Sequence, residues 1–270
     1  MAAILVTGPL SANPPGHPPA IIAHRGASHA APENTLAAME LAWQEGADGV
    51  EGDFHLTRDG EVVCIHDNDT RRTTGVRKLV RESTWAELRV LDAGAWKSPD
   101  FRGEKIPRLA EMLDRLPAGK RLFIEVKSGP ATVAPVKALL DARRDKLDRQ
   151  AIFIISFDAR VVAEARRLLP DVQAHLVSSL DDFGDAAEMR KLDETLSRSG
   201  ATGLQFQFRR AIGKAWLEGL QDRGLLTDCW VVNDAGQAAR MAAMGVAFIT
   251  TDRPGPLREE LEALAPENPR

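Results

Sequence analysis

The sequence predicts an α/β fold, a (β/α)8 TIM barrel that carries one small insertion. Eight short apolar segments alternate with amphipathic helical patterns along most of the chain. Such alternation is typical of parallel strands joined by right-handed helical crossovers. A doubly wound sheet uses the same alternation. However, the chain lacks a GxGxxG motif, and eight units is the number that closes a barrel.

The strand candidates are short and apolar, and helical patterns separate most of them. The candidates occupy residues 21–24, 48–53, 121–127, 151–156, 172–178, 202–208, 229–232 and 247–251. Several of the intervening helical patterns end at glycine, which favours the left-handed backbone that follows a helix.

Length and charge limit the domain count and the class of partner. The chain has 270 residues, which suits one large α/β domain as well as two small ones, and the predicted barrel makes it a single domain over 21–265. The net charge of −4 gives no sign of nucleic-acid binding. Prolines predict an extended tail over 1–20. No apolar run approaches the ~18 residues of a membrane span. With two isolated cysteines and no secretion signal at the amino terminus, we expect a cytoplasmic protein. Nothing in the sequence specifies an oligomeric state.

One apolar run, at 61–67, breaks the alternation. It follows the second strand too closely for a parallel crossover, and Asp59-Gly60 is a hairpin turn signal. We therefore expect 53–57 and 61–66 to form a β-hairpin, in which His55 faces Val63. Counting outward from the turn brings His66 back to the level of Asp53.

The hairpin precedes an insertion at about 68–107 that contains no clear βα unit. It is rich in turn signals and holds one possible helix, in STWAELRVL. Loops at the carboxyl ends of barrel strands carry function, so we expect a lid or a specificity element. A surface cap that does not touch the substrate is the alternative.

Three acids occupy neighbouring strand ends. Glu51 and Asp53 point the same way from one strand, and Glu125 lies in the next apolar strand. Buried together they would repel one another, and a hard divalent cation such as Mg²⁺ or Ca²⁺ would remove that cost. The alternative is a salt-bridge network with Arg25 and Lys127, which offers two bases for three acids.

Two histidines and two cations flank this corner. His24 ends the first strand and His66 closes the hairpin, so the two imidazoles are candidates for a general base and a general acid. Arg25 and Lys127 add the positive charge that holds a phosphate. Together with a metal ion, these groups indicate hydrolysis of a phosphate ester, and a diester fits best.

Other polar residues have less certain roles. Trp230, near the end of the seventh strand, is expected either to line the mouth as an apolar wall or to pack. Gln205 and Gln207 share one face of the sixth strand and either hydrogen-bond inside the barrel or reach the substrate. The histidines outside the proposed pair, including His55 and His175, are expected to be satisfied polar groups.

The sequence resembles the glycerophosphodiester phosphodiesterase family over about 21–255. The similar blocks are HRGAS with PENT (24–28, 32–35), GADGVEGDFHLTRDGEVVCIHD (46–67), RTTG (72–75), LDAGAW (91–96), IPRLAEML (106–113), IEVK (124–127), SF (156–157), WVVN (230–233) and TTDRP (250–254). Each block alone is weak, but their shared order is specific. The departures are small and include Gly52 in place of an aliphatic residue and Val231 in place of a threonine.

The resemblance implies a barrel of the phosphatidylinositol-phospholipase-C-like type and a role in lipid and glycerol metabolism. It implies hydrolysis of a small glycerophosphodiester to sn-glycerol 3-phosphate and an alcohol, with attack by the substrate's own glycerol hydroxyl and a cyclic phosphate that water opens. The roles it implies are one divalent ion, Mg²⁺ or Ca²⁺, on Glu51, Asp53 and Glu125, acid–base catalysis by His24 and His66, and phosphate binding by Arg25 and Lys127.

Three other functions fit parts of the sequence. A lysophospholipase D-like hydrolase would need an apolar insertion surface, whereas 68–107 is mostly polar. Metal-assisted proton abstraction would leave His24 and Arg25 unexplained. A non-catalytic phosphodiester-binding barrel would not need every site residue, yet all of them are present.

Overall fold

The computed structural model describes residues 18–264 and confirms the predicted barrel. Eight parallel strands close on themselves, because β1 pairs with both β2 and β9, and β3 adds an antiparallel edge to β2. The strands are β1 (Ala20–Ala23), β2 (Gly49–Leu56), β3 (Val62–Cys64), β4 (Arg121–Val126), β5 (Ile152–Ser156), β6 (Gln173–Ser178), β7 (Gly203–Gln207), β8 (Leu226–Trp230) and β9 (Phe248–Thr251).

Helices follow the barrel strands and cover the outside. They are α1 (Leu36–Gln44), α2 (Arg71–Thr74), α3 (Trp85–Leu88), α4 (Leu109–Leu113), α5 (Val133–Asp141), α6 (Ala159–Leu168), α7 (Ala186–Ser199), α8 (Lys214–Gln221), α9 (Ala235–Ala243) and α10 (Pro254–Leu264). Within the described range, none of them has both the length and the apolar character that a membrane crossing needs. Most of the predicted tail, 1–17, and residue 265 lie outside the described residues, so both domain boundaries stay predictions.

The β2–β3 hairpin has the predicted register. His55 is paired with Val63, and the Ile65 amide donates to the Asp53 carbonyl at 2.8 Å. The Asp59-Gly60 turn is left-handed at Gly60, whose φ of +87° glycine adopts at little cost. This hairpin returns His66 to the barrel mouth.

The predicted bounds of the seventh barrel strand were wrong. The sequence placed it at 229–232, whereas β8 covers Leu226–Trp230 and includes Asp228. Asp228 interrupts the apolar run, which hid the start of the strand. In the structure its side chain is buried and hydrogen-bonded to Gln205 and Thr250.

Aromatic rings fill the barrel interior. Phe123 and Phe153 stack with centroids 4.2 Å apart, and Phe248 meets both edge-on. His175 packs edge-on against the same rings, and neither of its nitrogens has a hydrogen-bond partner among the described residues. The prediction that His175 is a satisfied polar group was therefore wrong. Burial lowers the pKa of His175 to about 3, so the ring is neutral and packs as an aromatic.

The insertion builds a small core of its own on the hairpin. Its buried apolar residues pack against β3 and the residue that follows it; this cluster comprises Val63, Ile65, Val80, Leu88, Leu91, Ala93 and Ile106. The predicted helix is α3, where Thr84 and Glu87 form a reciprocal capping box. The insertion is thus fixed to the strand that leads to His66.

Replacing Phe153 with alanine should destabilise the protein by about 3–5 kcal/mol, because the fully buried ring leaves a cavity between its neighbours. Phe157→Ala is the matched control, since Phe157 is 50% exposed and should cost within about 1 kcal/mol. Urea unfolding of both variants measures the difference. Equal losses would contradict an interior held by this stack.

Candidate active site

The carboxyl ends of three neighbouring strands bring the predicted residues to one cavity of about 130 Å³. β1 leads into His24 and Arg25, β2 carries the first two acids, and β4 carries the third. Asp53 pairs with Glu125 across the β2–β4 ladder, which fixes the depth at which these acids meet. Seven of the eight predicted site residues line the cavity: His24, Arg25, Glu51, His66, Glu125, Lys127 and Trp230. The eighth, Asp53, is buried behind them.

The three acids form a compact, buried cluster. One carboxylate oxygen from each of Glu51, Asp53 and Glu125 lies within 4.8 Å of the others. Burial, with the neighbouring charges of Asp53 and Glu125, raises the pKa of Glu51 well above its usual value. Glu51 Oε1 is buried and has no hydrogen-bond partner among the described residues. An unpaired buried oxygen among like charges is what a cation would stabilise.

Two cations partly compensate the acids. Lys127 Nζ lies 2.8 Å from Glu125 Oε1 and 3.4 Å from Asp53 Oδ1. Arg25 Nε lies 3.2 Å from Asp53 Oδ2, although the two groups are not aligned for a hydrogen bond. The Arg25 backbone adopts a φ of +57° and donates its N–H to Glu51 Oε2 at 2.9 Å. The salt-bridge alternative is therefore present in part, yet it leaves one oxygen of Glu51 without a partner.

Asn34 fixes the orientation of Asp53. Its Nδ2 donates to Asp53 Oδ2 at 2.8 Å, and its Oδ1 accepts from the Asp53 backbone at 3.1 Å. Burial tends to raise the pKa of Asp53, but Arg25 and Lys127 outweigh it, so the pKa is lowered. Asn34 belongs to the PENT block, and the sequence pattern did not identify its role.

His24 is held by a carboxylate from the far end of the chain. Its Nδ1 lies 2.7 Å from Asp252 Oδ1, just after β9, which neighbours β1 in the closed barrel. Ser28 and Asn233 also donate to Asp252. Burial would raise the pKa of Asp252, but these hydrogen bonds, led by that of His24, lower it to about 2. The carboxylate is therefore the acceptor, and Nδ1 of His24 carries the proton.

His66 has an equivalent partner next to it in sequence. Its Nδ1 lies 2.8 Å from Asp67 Oδ1, and Arg72 Nε from the insertion holds Asp67 Oδ2 at 2.7 Å. Arg72 also donates to both oxygens of Glu33, and Glu33 accepts from Arg25 at 3.0 Å. A chain of ion pairs thus connects the second imidazole to the cationic side of the cavity.

The sequence analysis did not identify several residues of this arrangement, namely Asp252, Asp67, Arg72 and Glu33. Asp252 lies in the TTDRP block, and closure of the predicted barrel places that block beside His24. Asp67 directly follows His66, so its spacing was a usable signal. Arg72 and Glu33 meet only through the folded insertion, whose internal contacts cannot be read from spacing along the chain.

A second, wider groove of about 260 Å³ adjoins the cavity. Phe157 and Val177 line both, and the rest of the groove is formed by the end of β6, the loop after it and α7. Trp230 meets Phe157 edge-on with centroids 5.8 Å apart. The Trp230 ring therefore lies beside the passage from the cavity to the groove, as an apolar wall would.

The arrangement suits proton transfer beside a bound anion. Each imidazole is held through Nδ1 by a carboxylate, which leaves Nε2 as the free nitrogen. Arg25 and Lys127 supply positive charge at the same cavity. Two proton-transfer groups, two cations and a carboxylate cluster able to hold a divalent ion are the elements of phosphate-ester hydrolysis.

Comparison with known proteins gives a consistent result. Residues 24–256 match the glycerophosphoryl diester phosphodiesterase family model. The chain is 36% identical to YhdW of Bacillus subtilis over 87% of this chain and 94% of that protein. It is 32% identical to the glycerophosphodiester phosphodiesterase of Caldanaerobacter subterraneus subsp. tengcongensis, again over 87% of this chain and 94% of that protein.

A solved structure extends the similarity to the whole barrel. A phosphodiesterase of Oleispira antarctica, solved in complex with its product sn-glycerol-3-phosphate, superposes with a TM-score of 0.78. The two proteins share 27% sequence identity, and the match covers 90% of this chain and 97% of the other.

Asp252→Asn should remove the preference of the neutral His24 ring for carrying its proton on Nδ1. With the carboxylate in place, the neutral ring carries its proton on Nδ1, whereas an asparagine can offer either an acceptor or a donor to that nitrogen. The ¹⁵N chemical shifts of the imidazole nitrogens report the tautomer directly. Asp69→Asn is the control, because Asp69 pairs with Arg77 and should leave His24 unchanged. A wild-type ring protonated on Nε2 would contradict this geometry.

Proposed function

This chain belongs to the glycerophosphoryl diester phosphodiesterase family and is a glycerophosphodiester phosphodiesterase, and we propose that it works by metal-dependent acid–base catalysis through His24 and His66. The proposed products are sn-glycerol 3-phosphate and an alcohol. The observation that carries the proposal is the meeting, in one cavity, of two carboxylate-held imidazoles and an undercompensated acidic cluster.

Glu51, Asp53 and Glu125 are the residues that would hold the metal ion. Their carboxylate oxygens are hard ligands suited to Mg²⁺ or Ca²⁺, and the unpaired Oε1 of Glu51 supports the fit. When bound, such an ion would neutralise charge on the phosphate and polarise it toward attack.

The two imidazoles divide the proton transfers between them. One takes the proton from the attacking glycerol hydroxyl, while the other gives a proton to the oxygen of the departing alcohol. The P–O bond to the alcohol breaks as the bond to the glycerol oxygen forms, which gives a cyclic phosphate. In the second step the roles reverse and water opens the ring. Asp252 and Asp67 support both steps because each stabilises the imidazolium that forms beside it.

Arg25 and Lys127 are the proposed phosphate-binding groups. Burial tends to lower the pKa of Lys127, but Glu125 and Asp53 outweigh it, so the pKa is raised and the ammonium stays charged. Both cations are positioned by carboxylates and line the cavity, so little side-chain ordering is left for substrate binding.

The lysophospholipase D-like alternative finds no support in the insertion. Four of its ten large apolar residues, Val80, Leu88, Leu91 and Ile106, are buried in its own cluster. Among the large apolar side chains of 68–107, the exposed ones are Val76, Val90 and Trp96. We further propose a cytoplasmic location, supported by two buried free thiols, Cys64 and Cys229, which suit a reducing compartment.

The wild-type protein should release sn-glycerol 3-phosphate from glycerophosphodiesters, and thorough chelation with EDTA should abolish the release until Mg²⁺ or Ca²⁺ is restored. A coupled assay for glycerol 3-phosphate measures this across several alcohol groups. Full activity after chelation would remove the metal from the proposal, and no release from any of the diesters would remove the proposed substrate class.

In the same assay, His24→Ala should lose about 10²–10⁴-fold in kcat, the usual contribution of a general acid or base. His29→Ala is the matched control because His29 has an exposed side chain five residues along the chain. A folded His24→Ala variant with the wild-type rate would exclude His24 from the reaction.

Glu51→Gln should make the metal-free protein more stable and weaken its binding of the metal ion. Without metal, the substitution replaces a buried carboxyl whose ionisation is disfavoured by burial and by two neighbouring acids, so the melting temperature should rise by a few degrees. A saturating ion should stabilise the wild type by about 2.7 kcal/mol at 100 times its Kd, and the variant by much less. Thermal unfolding with and without the ion measures both effects. Glu61→Gln, on the hairpin, is the control, and an unchanged metal effect in Glu51→Gln would contradict the ligand assignment.

A further inference from the structure

The floor of the catalytic cavity is polar and contains no catalytic or phosphate-binding group. Gln205 and Thr250 line it, and Asp228 lies beneath them, fully buried. Gln205 Nε2 donates to Asp228 Oδ2 at 2.9 Å and approaches Thr250 Oγ1 at 3.4 Å. Thr250 Oγ1 donates to Asp228 Oδ1 at 3.3 Å. Two side chains, from the next two strands of the barrel, thus fix the amide group of Gln205.

This arrangement leaves one acceptor free. Both contacts of Gln205 use its Nε2, so its Oε1 accepts no hydrogen bond from any residue of 18–264. With Nε2 directed at Asp228, the amide oxygen is turned toward the cavity that Gln205 lines. An acceptor that faces a cavity without a protein partner is free to take a donor from whatever fills the cavity.

The floor also suits a neutral ligand group. Among the described residues, Asp228 forms no ion pair, and burial raises its pKa to about 8 against the hydrogen bonds from Thr250 and Gln205 that lower it. Burial therefore favours the uncharged form of Asp228. A hydroxyl group, which donates one hydrogen bond and carries no charge, matches such a surface.

The shape of the site assigns this floor to one end of the substrate. The phosphate belongs beside Arg25 and Lys127, and the alcohol varies among glycerophosphodiesters, so it needs the open side. The groove beyond Phe157 provides that open side. The constant glycerol unit is the part that reaches the closed floor.

We propose that Gln205 is a specificity-determining residue whose Oε1 accepts a hydrogen bond from the terminal hydroxyl of the glycerol unit, with Asp228 and Thr250 holding the amide in that orientation. This inference rests on the proposed function. It explains why a strand otherwise built for a barrel interior carries a glutamine at this position.

The test compares two substrates that differ by one oxygen. One is a glycerophosphodiester, and the other is the matching diester of 1,2-propanediol 1-phosphate, which keeps the hydroxyl next to the phosphate arm but lacks the terminal one. Wild-type protein should prefer the glycerol substrate by about 10-fold or more in kcat/KM, because the deoxy analogue leaves a buried acceptor unpaired. Equal kcat/KM values in the wild type would overturn the proposal without any variant.

Gln205→Met keeps the size of the side chain and removes the acceptor. It should reduce the preference to within about twofold, by lowering kcat/KM for the glycerol substrate while leaving that for the analogue nearly unchanged. Gln207→Met is the matched control: Gln207 is two residues along the same strand but does not line the cavity, so the wild-type preference should persist. A folded Gln205→Met variant that loses the same factor on both substrates would assign Gln205 a structural role and overturn the proposal.

Failure of the proposed function has a different signature. If wild-type protein hydrolyses neither diester with any of the metals tested, the phosphodiesterase proposal fails, and the glycerol subsite fails with it. If it hydrolyses both equally well, the phosphodiesterase proposal stands and only the role of Gln205 fails.

Discussion

The mutual repulsion of three buried carboxylates is the constraint on which the site depends. Parallel strand pairing places Glu51, Asp53 and Glu125 at one barrel corner, where Glu51 and Asp53 are buried and Glu125 is mostly covered. Taking such charges out of water costs several kcal/mol each unless opposite charge compensates them. Arg25 and Lys127 supply part of that charge, and Glu51 is left undercompensated. The surrounding residues therefore compensate part of this negative charge and leave the cluster with an affinity for cations.

Both imidazoles are held in the same way, by a carboxylate bound to Nδ1. Asp252 reaches His24 because the last strand closes the barrel against the first, whereas Asp67 reaches His66 because the two are adjacent in sequence. In both cases the carboxylate binds Nδ1 and does not line the cavity. It can stabilise a positive imidazole without adding a further negative charge at the acidic corner. The insertion contributes through Arg72, which holds Asp67 and so makes the 68–107 segment part of the site.

Sequence patterns were sufficient where periodicity or spacing determined the outcome. Alternating strands and helices gave the barrel, and the Asp59-Gly60 turn fixed the pairing of the hairpin residue by residue. They failed at Asp228, because an acid inside a strand looks like a loop residue until a glutamine and a threonine on neighbouring strands are seen to bond it. They failed at His175 for the opposite reason, since the pattern suggested polar partners and the interior provides only aromatic rings. The pattern along one strand does not show which side chains the neighbouring strands place around a residue.

The buried acid beneath the cavity and the buried acids beside it illustrate two ways of handling the same cost. At the corner, carboxylates stay close to cations and to one another, which leaves charge available for a metal ion and a phosphate. At the floor, Asp228 has hydrogen-bonding neighbours but no cation among the described residues, so burial favours its protonated form. The cavity thereby divides into a charged side and a neutral base within a few side chains of each other. A glycerophosphodiester has the same division, with an anionic phosphate joined to an uncharged polyol, and the proposed orientation of the substrate matches the two.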